Sequence, residues 1–228
     1  MKIAIHQPQY LPWLGYFDKM DQGDVFVLLD DVQYKKNEWQ NRNKIRNAEG
    51  WQWITVPVLY EFGQEIKSIR IDRRQNWREK HIKSLELNYS RAPYFEEYFD
   101  FFRESLEKEW EFLVDLNVHF IEYFKETLGI GAKLVKSSTL EMDSSSTERL
   151  VDICKHFGAN AYLSGSGGED YLDKDLFKES DITLEFQDYK HPRYSQIYDG
   201  FEPYMSVADL LFCCGDKGLN ILREGRKK

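Results

Sequence analysis

The chain has 228 residues, with 39 acidic against 31 basic side chains and a formal charge of −8 at neutral pH. That balance excludes a general nucleic-acid binder, because sequence-independent affinity for phosphate backbones comes from excess Lys and Arg. With 6 Trp, 14 Tyr, 15 Phe and 42% hydrophobic residues the chain is not disordered and can bury a real core, and it contains no run of about 18 apolar residues that would span a membrane.

The opening Lys2-Ile3-Ala4-Ile5 reads as a short buried strand without the apolar core of a signal peptide, so the expected compartment is the cytoplasm. The three cysteines, Cys154, Cys213 and Cys214, have the spacing of neither a disulfide framework nor a zinc site. Cys213 and Cys214 fall in an apolar run and read as core. Pro8 and Pro12 forbid a regular helix directly after the first strand. A helix is predicted from near Trp13, with Leu14, Phe17 and Met20 at helical spacing and Gly23 at its end. Val25 to Leu29 is an apolar run of strand length, and strand, helix and strand in about thirty residues make a βαβ unit with a right-handed crossover.

The polar stretch from Asn37 to Asn47 and the alternating run from Trp51 to Pro57 predict a hairpin or an added strand pair. Ile66, Ile69 and Ile71, interleaved with charges, predict an edge strand. Trp77, His81, Leu85 and Tyr89 repeat every four residues, Pro93 interrupts the pattern, and Tyr94 to Leu128 is again helical in spacing. Ser144 to Thr147 is expected to cap a helix that Gly158 ends. Ala161 to Leu163 and Ile182 to Phe186 read as strands, and Ser206 starts a last apolar helix through Phe212. The pattern predicts one α/β domain with a parallel-sheet, three-layer core over about residues 1–75 and 132–228, carrying a helical insertion over about 76–131.

Three polar clusters each follow directly on a predicted strand. They are His6-Gln7-Pro8-Gln9 with Tyr10, then Asp30-Asp31-Val32-Gln33, then Ser164-Gly165-Ser166-Gly167-Gly168 with Asp170 and Tyr171. In open parallel sheets ligands bind beyond the carboxyl ends of the strands, so all three are expected to line one pocket. As a neutral imidazole His6 could bond a phosphate or exchange protons; its other reading is a structural histidine on a backbone carbonyl. Asp30 and Asp31 could hold a ribose hydroxyl, a Mg²⁺ ion or an amine, or serve as turn aspartates. Only one of the two should face the site, because neighbours on a strand point opposite ways. The Ser/Gly loop can present backbone amides to an anion, although it lacks the Gly-Lys-Ser/Thr ending of a P-loop and also reads as a tight surface turn. Asn41-Arg42-Asn43 lies in a basic stretch, where Arg42 could clamp a phosphate or carboxylate or simply face solvent. Lys and Arg gather between Lys35 and Lys83, which predicts a crevice that is locally positive within an acidic protein. The remaining histidines have no metal-ligand spacing, and no metal held by the protein alone is expected.

These residues carry a resemblance. His6-Gln7-Pro8-Gln9-Tyr10-Leu11-Pro12-Trp13-Leu14-Gly15-Tyr16-Phe17, Asp30-Asp31-Val32-Gln33-Tyr34, Asn41-Arg42-Asn43, Trp53-Ile54-Thr55-Val56-Pro57, Thr147-Glu148-Arg149-Leu150, Tyr162-Leu163-Ser164-Gly165, Tyr171-Leu172-Asp173 and Ser206-Val207-Ala208-Asp209-Leu210-Leu211 resemble the WbqC-like protein family over essentially the whole chain. The resemblance implies a role in surface-polysaccharide (O-antigen) biosynthesis, with acyl or aminoacyl groups attached to amino sugars of nucleotide-sugar intermediates. The layout is also similar to nucleotidyl-transferase-type enzymes such as pantothenate synthetases, which join an acid and an amine through an acyl-adenylate. Where those enzymes carry His-x-Gly-His this chain has Pro12-Trp13-Leu14-Gly15, and it has no Lys-Met-Ser-Lys loop, so ATP with Mg²⁺ and a ready-made activated acyl donor both stay open as cofactors. On this reading His6, Asp30 and Asp31 are catalytic. Gln7, Gln9, Tyr10, Gln33, Asn41, Arg42, Ser164, Gly165, Ser166, Gly167, Gly168, Asp170 and Tyr171 bind a phosphate-bearing substrate. The competing expectation is a protein that binds a nucleotide sugar, or a partner of the same pathway, without turnover.

Overall fold

The structure is a computed structural model that describes residues 1–227. Strand β1 (Lys2–His6) runs into the proline-bearing segment, which stays irregular until helix α1 (Leu14–Asp21), and β2 (Val25–Leu28) follows. The expected hairpin is present as β3 (Arg42–Asn47) and β4 (Gly50–Thr55), paired antiparallel with Arg42 opposite Thr55. A two-residue pair, β5 (Val58–Leu59) and β6 (Arg70–Ile71), stands where the edge strand was expected. Ile66 lies in a 3₁₀ turn, and Ile66, Ile69 and Ile71 are all buried. Their spacing reflects three anchor points of an irregular segment rather than strand alternation.

Helices α2 (Trp77–Tyr89), α3 (Phe95–Glu107) and α4 (Leu113–Thr127) come next, so the expected helical run after Pro93 is two helices. The chain then returns to β7 (Lys133–Lys136), α5 (Ser146–His156), β8 (Ala161–Ser164), α6 (Lys174–Glu179), β9 (Thr183–Phe186), α7 (Val207–Cys214) and α8 (Gly218–Glu224). Ser206 caps α7 as expected, its hydroxyl accepting from the Ala208 amide at 3.2 Å. Strand β7 has no counterpart in the sequence reading, because its two apolar residues sit between lysines in the manner of a charged edge strand.

The central sheet has the order β7-β2-β1-β8-β9 and every pairing in it is parallel. Alternation divides its side chains between two faces. Ala4, Phe26, Leu28 and Leu163 pack into a core with α1, α3, α4 and α7, whereas Ile3, Ile5, Val25, Val27 and Tyr162 pack with Val151, Ile153 and Cys154 of α5 and Phe177 of α6. Helices therefore cover both faces, giving the three-layer α/β core. Cys213 and Cys214 are free and buried. No helix among the described residues is long and apolar enough to cross a membrane.

The strand order has one functional consequence. The chain builds outward from β1 to β2 and β7, then returns to the other side of β1 for β8 and β9. The crossover α1 lies on one face and α5 on the other, so a crevice opens between the carboxyl ends of β1 and β8. This is the topological switch point where open α/β sheets bind ligands.

Candidate functional site

A cavity of about 680 Å³ occupies that switch point. Its floor is the end of β1 (Ile5, His6, Gln7) and of β8 (Ser164), one wall is the Gly165–Gly168 turn with Tyr171, and another is the start of α5 with Thr147 and Arg149. The volume suits a small organic ligand.

The turn after β8 packs tightly at Gly168. A Cβ there would lie 2.1 Å from Ser164 Oγ, so a larger residue would force the Ser164 side chain to move where the chain folds back over the end of β8. Opposite, Ser146 opens α5 at a φ of 51°, a left-handed conformation that a non-glycine residue adopts at a cost of about 1 kcal/mol or more. No side chain caps this helix, and its first residues Ser146 and Thr147 line the cavity, where a helix N-terminus favours an anion.

Two cations reach the cavity. Arg149 is mostly buried. Its Nη1 donates to the carbonyls of Met142 at 2.9 Å and Ser144 at 3.2 Å, its Nη2 is ion-paired with Asp31, and its Nε is buried with no protein partner. Lys19 comes from α1, whose residues are buried from Leu14 through Met20. Its Nζ donates to the Ile5 carbonyl at 2.7 Å, and the structure gives it no carboxylate to neutralise it among the described residues. Burial pulls its pKa down to about 7, because a low-dielectric site disfavours the ammonium form. The helix that carries it is fixed from behind: Asp18, fully buried, accepts from Arg226 Nε at 2.5 Å and from Gln187 Nε2 at 2.6 Å.

His6 packs against Tyr16 with ring centroids 4.8 Å apart, and its Nδ1 lies 3.3 Å from the Gln7 carbonyl. Burial first, and the Lys19 charge second, lower its pKa to about 3. The imidazole is therefore neutral throughout the physiological range and suited to hydrogen bonding.

Of the expected site residues, the fold brings His6, Gln7, Ser164, Gly165, Gly167, Gly168 and Tyr171 into one cavity. Ser166 and Asp170 lie on the exposed side of the turn and do not line it. The second cluster stands behind the wall. Asp30 is buried and spent on β7's end, accepting from the Ser138 amide at 2.9 Å, Ser138 Oγ at 2.7 Å and Ser137 Oγ at 3.1 Å. Asp31 accepts from Ser137 Oγ at 2.5 Å and touches the cavity only through Arg149. Gln33 is exposed and bridges to Glu65. Tyr10 is in the core, its hydroxyl 2.9 Å from His81 Nδ1. Asn41 is buried and donates to the Val56 carbonyl at 2.9 Å. Arg42 lies over the Trp53 ring at 4.3 Å, on the hairpin. Gln9 lines a separate small hollow next to Gln7.

The cations that line the crevice are Lys19 and Arg149, the latter ion-paired with Asp31, and the basic stretch from Lys35 to Lys83 is largely engaged elsewhere. Arg70 pairs with Glu111, Arg74 with Asp72 and Arg78 with Glu109, while Arg42 and Lys44 stack on Trp53 and Trp51. Lys19 and Arg149 were the residues that sequence reasoning missed. The signal for Lys19 was a lysine beside Phe17 and Met20 in a short helix that follows directly on a strand end.

A model of the WbqC-like protein family matches residues 7–221, from the second residue of the opening polar cluster to helix α8. The chain belongs to the WbqC-like family. Within this WbqC-like chain the matched span includes every residue lining the cavity except Ile5 and His6. It is also similar to the uncharacterized protein Rv1507c of Mycobacterium tuberculosis, with 39% identity over 230 residues covering 99% of each chain. No solved structure matches it.

Proposed function

We propose that the protein forms an amide on an amino sugar carried by a nucleotide diphosphate, with the phosphates held in the switch-point cavity. The observation that carries this reading is the pairing of Lys19 and Arg149 with the uncapped start of α5 and the Gly165–Gly168 turn, around one cavity in an otherwise acidic protein. Such a set of donors recognises phosphate oxygens by charge and by backbone amides together.

Amide formation joins an activated acyl group, R–CO–X, to the sugar's amine and releases HX, and one proton must leave the nitrogen as the C–N bond forms. Lys19 in its charged form holds a phosphate oxygen, His6 as a neutral imidazole orients the amine or a phosphate oxygen, and the proton leaves with X or to solvent. Backbone amides of Gly165 and Gly167 stabilise the oxyanion of the tetrahedral intermediate, the Gly168 N–H being engaged with the Gly165 carbonyl at 3.0 Å. Asp31 positions Arg149. X comes from ATP-dependent activation of the acid or from an acyl carrier.

A second reading, binding of the nucleotide sugar without turnover, is favoured by one observation: among the described residues no carboxylate lines the cavity. The test is incubation with UDP-glucosamine and either ATP plus an amino acid or an acyl-CoA, read by mass spectrometry for the acylated sugar. The proposal expects product from wild type and its loss in Lys19→Met. Ligand binding without product from any donor class supports the second reading and contradicts the first.

A further inference from the structure

Beside the main cavity lies a second hollow of about 150 Å³, lined by Gln7, Gln9, Lys35, Glu38, Trp39 and Gln40. Gln7 lines both spaces. We propose that this hollow is the sugar subsite, taking the hydroxyl-bearing ring of a ligand whose anionic end lies in the main cavity, with Gln9 as the residue that reads a ring hydroxyl; this rests on the anion-site reading above.

Gln9 is 7% exposed, and its Oε1 is buried without a hydrogen-bond partner. An unpaired buried acceptor costs about 1 to 3 kcal/mol, so an amide held there is one that a donor from outside would complete. The surrounding chemistry matches a sugar. Glu38 adds a second acceptor, Lys35 a donor, and the partly buried Trp39 indole an apolar face of the kind that packs against pyranose C–H groups. The lining is also built rather than incidental. The Tyr10 amide donates to the Trp39 carbonyl at 3.1 Å, Gln40 Nε2 donates to Gln7 Oε1 at 2.7 Å, and Asn117 Nδ2 donates to the Gln40 carbonyl at 2.8 Å. These bonds tie the segment after β1 to the start of the hairpin, so the two walls of the hollow have a fixed separation.

This assigns a function to Gln9 that the main cavity does not use. It also explains the order of polar residues after β1: His6 and Gln7 reach the phosphate side, and Gln9 reaches the sugar side.

The test is calorimetric titration of wild type, Gln9→Leu and Trp39→Ala with UDP, dTDP, UDP-glucose and dTDP-glucose. Wild type should bind the sugar-bearing form of the preferred nucleotide about three- to tenfold more tightly than the bare diphosphate, the worth of one or two hydrogen bonds to uncharged groups. In Gln9→Leu that advantage should vanish with affinity for the bare diphosphate unchanged, and Trp39→Ala should behave alike. A wild-type protein that binds diphosphate and nucleotide sugar equally, or a Gln9→Leu variant that weakens both to the same extent, overturns the subsite. Failure of wild type to bind any of the four overturns the anion-site reading itself and the subsite with it. Circular dichroism of each variant separates lost binding from lost folding, and the Gln9→Leu and Trp39→Ala results stand as independent checks.

Discussion

Replacing Lys19 by methionine should make the protein more stable at neutral pH while abolishing its binding of a phosphate-bearing ligand. The folded state holds this amine at a pKa of about 7 against an ordinary value of 10.5. At about 1.4 kcal/mol per pKa unit, burial of the amine then costs about 5 kcal/mol once the pH lies below both values. Methionine fills a similar volume without charge, and against that gain stands the lost hydrogen bond to the Ile5 carbonyl, about 1 to 3 kcal/mol. A net gain of about 2 to 4 kcal/mol below pH 7 follows. Between the two pKa values the unfolded lysine holds a proton that the folded one does not, so this group's contribution to stability improves as pH rises. The variant's advantage should therefore shrink by about 2 kcal/mol between pH 7 and 8.5. Cys154, Cys213 and Cys214, whose burial raises their pKa values, add a common opposing slope at higher pH that cancels in the difference. Urea denaturation followed by tryptophan fluorescence at pH 6, 7 and 8.5 measures both numbers. A Lys19→Met protein less stable than wild type by a pH-independent amount would refute the reasoning, since it would mean that the amine is a paired structural cation.

Three further outcomes follow from the site's supports. Arg226→Ala removes the partner of the fully buried Asp18 carboxylate and should destabilise the fold by about 3 to 5 kcal/mol in denaturant titration; a loss below about 1 kcal/mol would make that pair a surface contact in effect. Gly168→Ala places a Cβ against Ser164 Oγ and should weaken nucleotide-sugar binding, and adding Ser164→Gly should restore most of it; equal weakening in the single and double variants by calorimetry would point to another cause. His6 is held neutral by burial, with a folded pKa of about 3 against 6.5, so its contribution to stability is lost as pH falls from 6.5. His6→Asn should flatten that acid limb in thermal melts, and an unchanged limb would place the lost stability at other groups.

The α/β class and the first βαβ unit are legible because apolar runs and proline or glycine breaks coincide there: Ile3 to Ile5, Pro8 and Pro12, Leu14 to Met20, Val25 to Leu28. Strand β7 is not, since Lys133 and Lys136 mask its short apolar pair, and without β7 the full strand order cannot be written. The site divides in the same way. Clusters that follow β1 and β8 reach the cavity because these strands flank the switch point, a fact of sheet order. Asp30 and Asp31 follow β2, one strand further out, and the neighbouring end of β7 supplies the Ser137 and Ser138 hydroxyls that engage them. Arg149 and Lys19 lie on the crossover helices rather than at strand ends, so a search confined to strand ends passes over both cations. The −8 charge gave no hint of them either, because a net charge does not say where individual cations lie after folding.

The central claim is that the switch-point cavity grips the phosphates of a nucleotide-activated amino sugar. A crystal structure of the protein soaked with UDP-glucosamine tests it most directly. The account predicts diphosphate density between Lys19 Nζ, Arg149 and the first turn of α5, and density anywhere else, such as over the Trp51 and Trp53 rings of the hairpin, would contradict it.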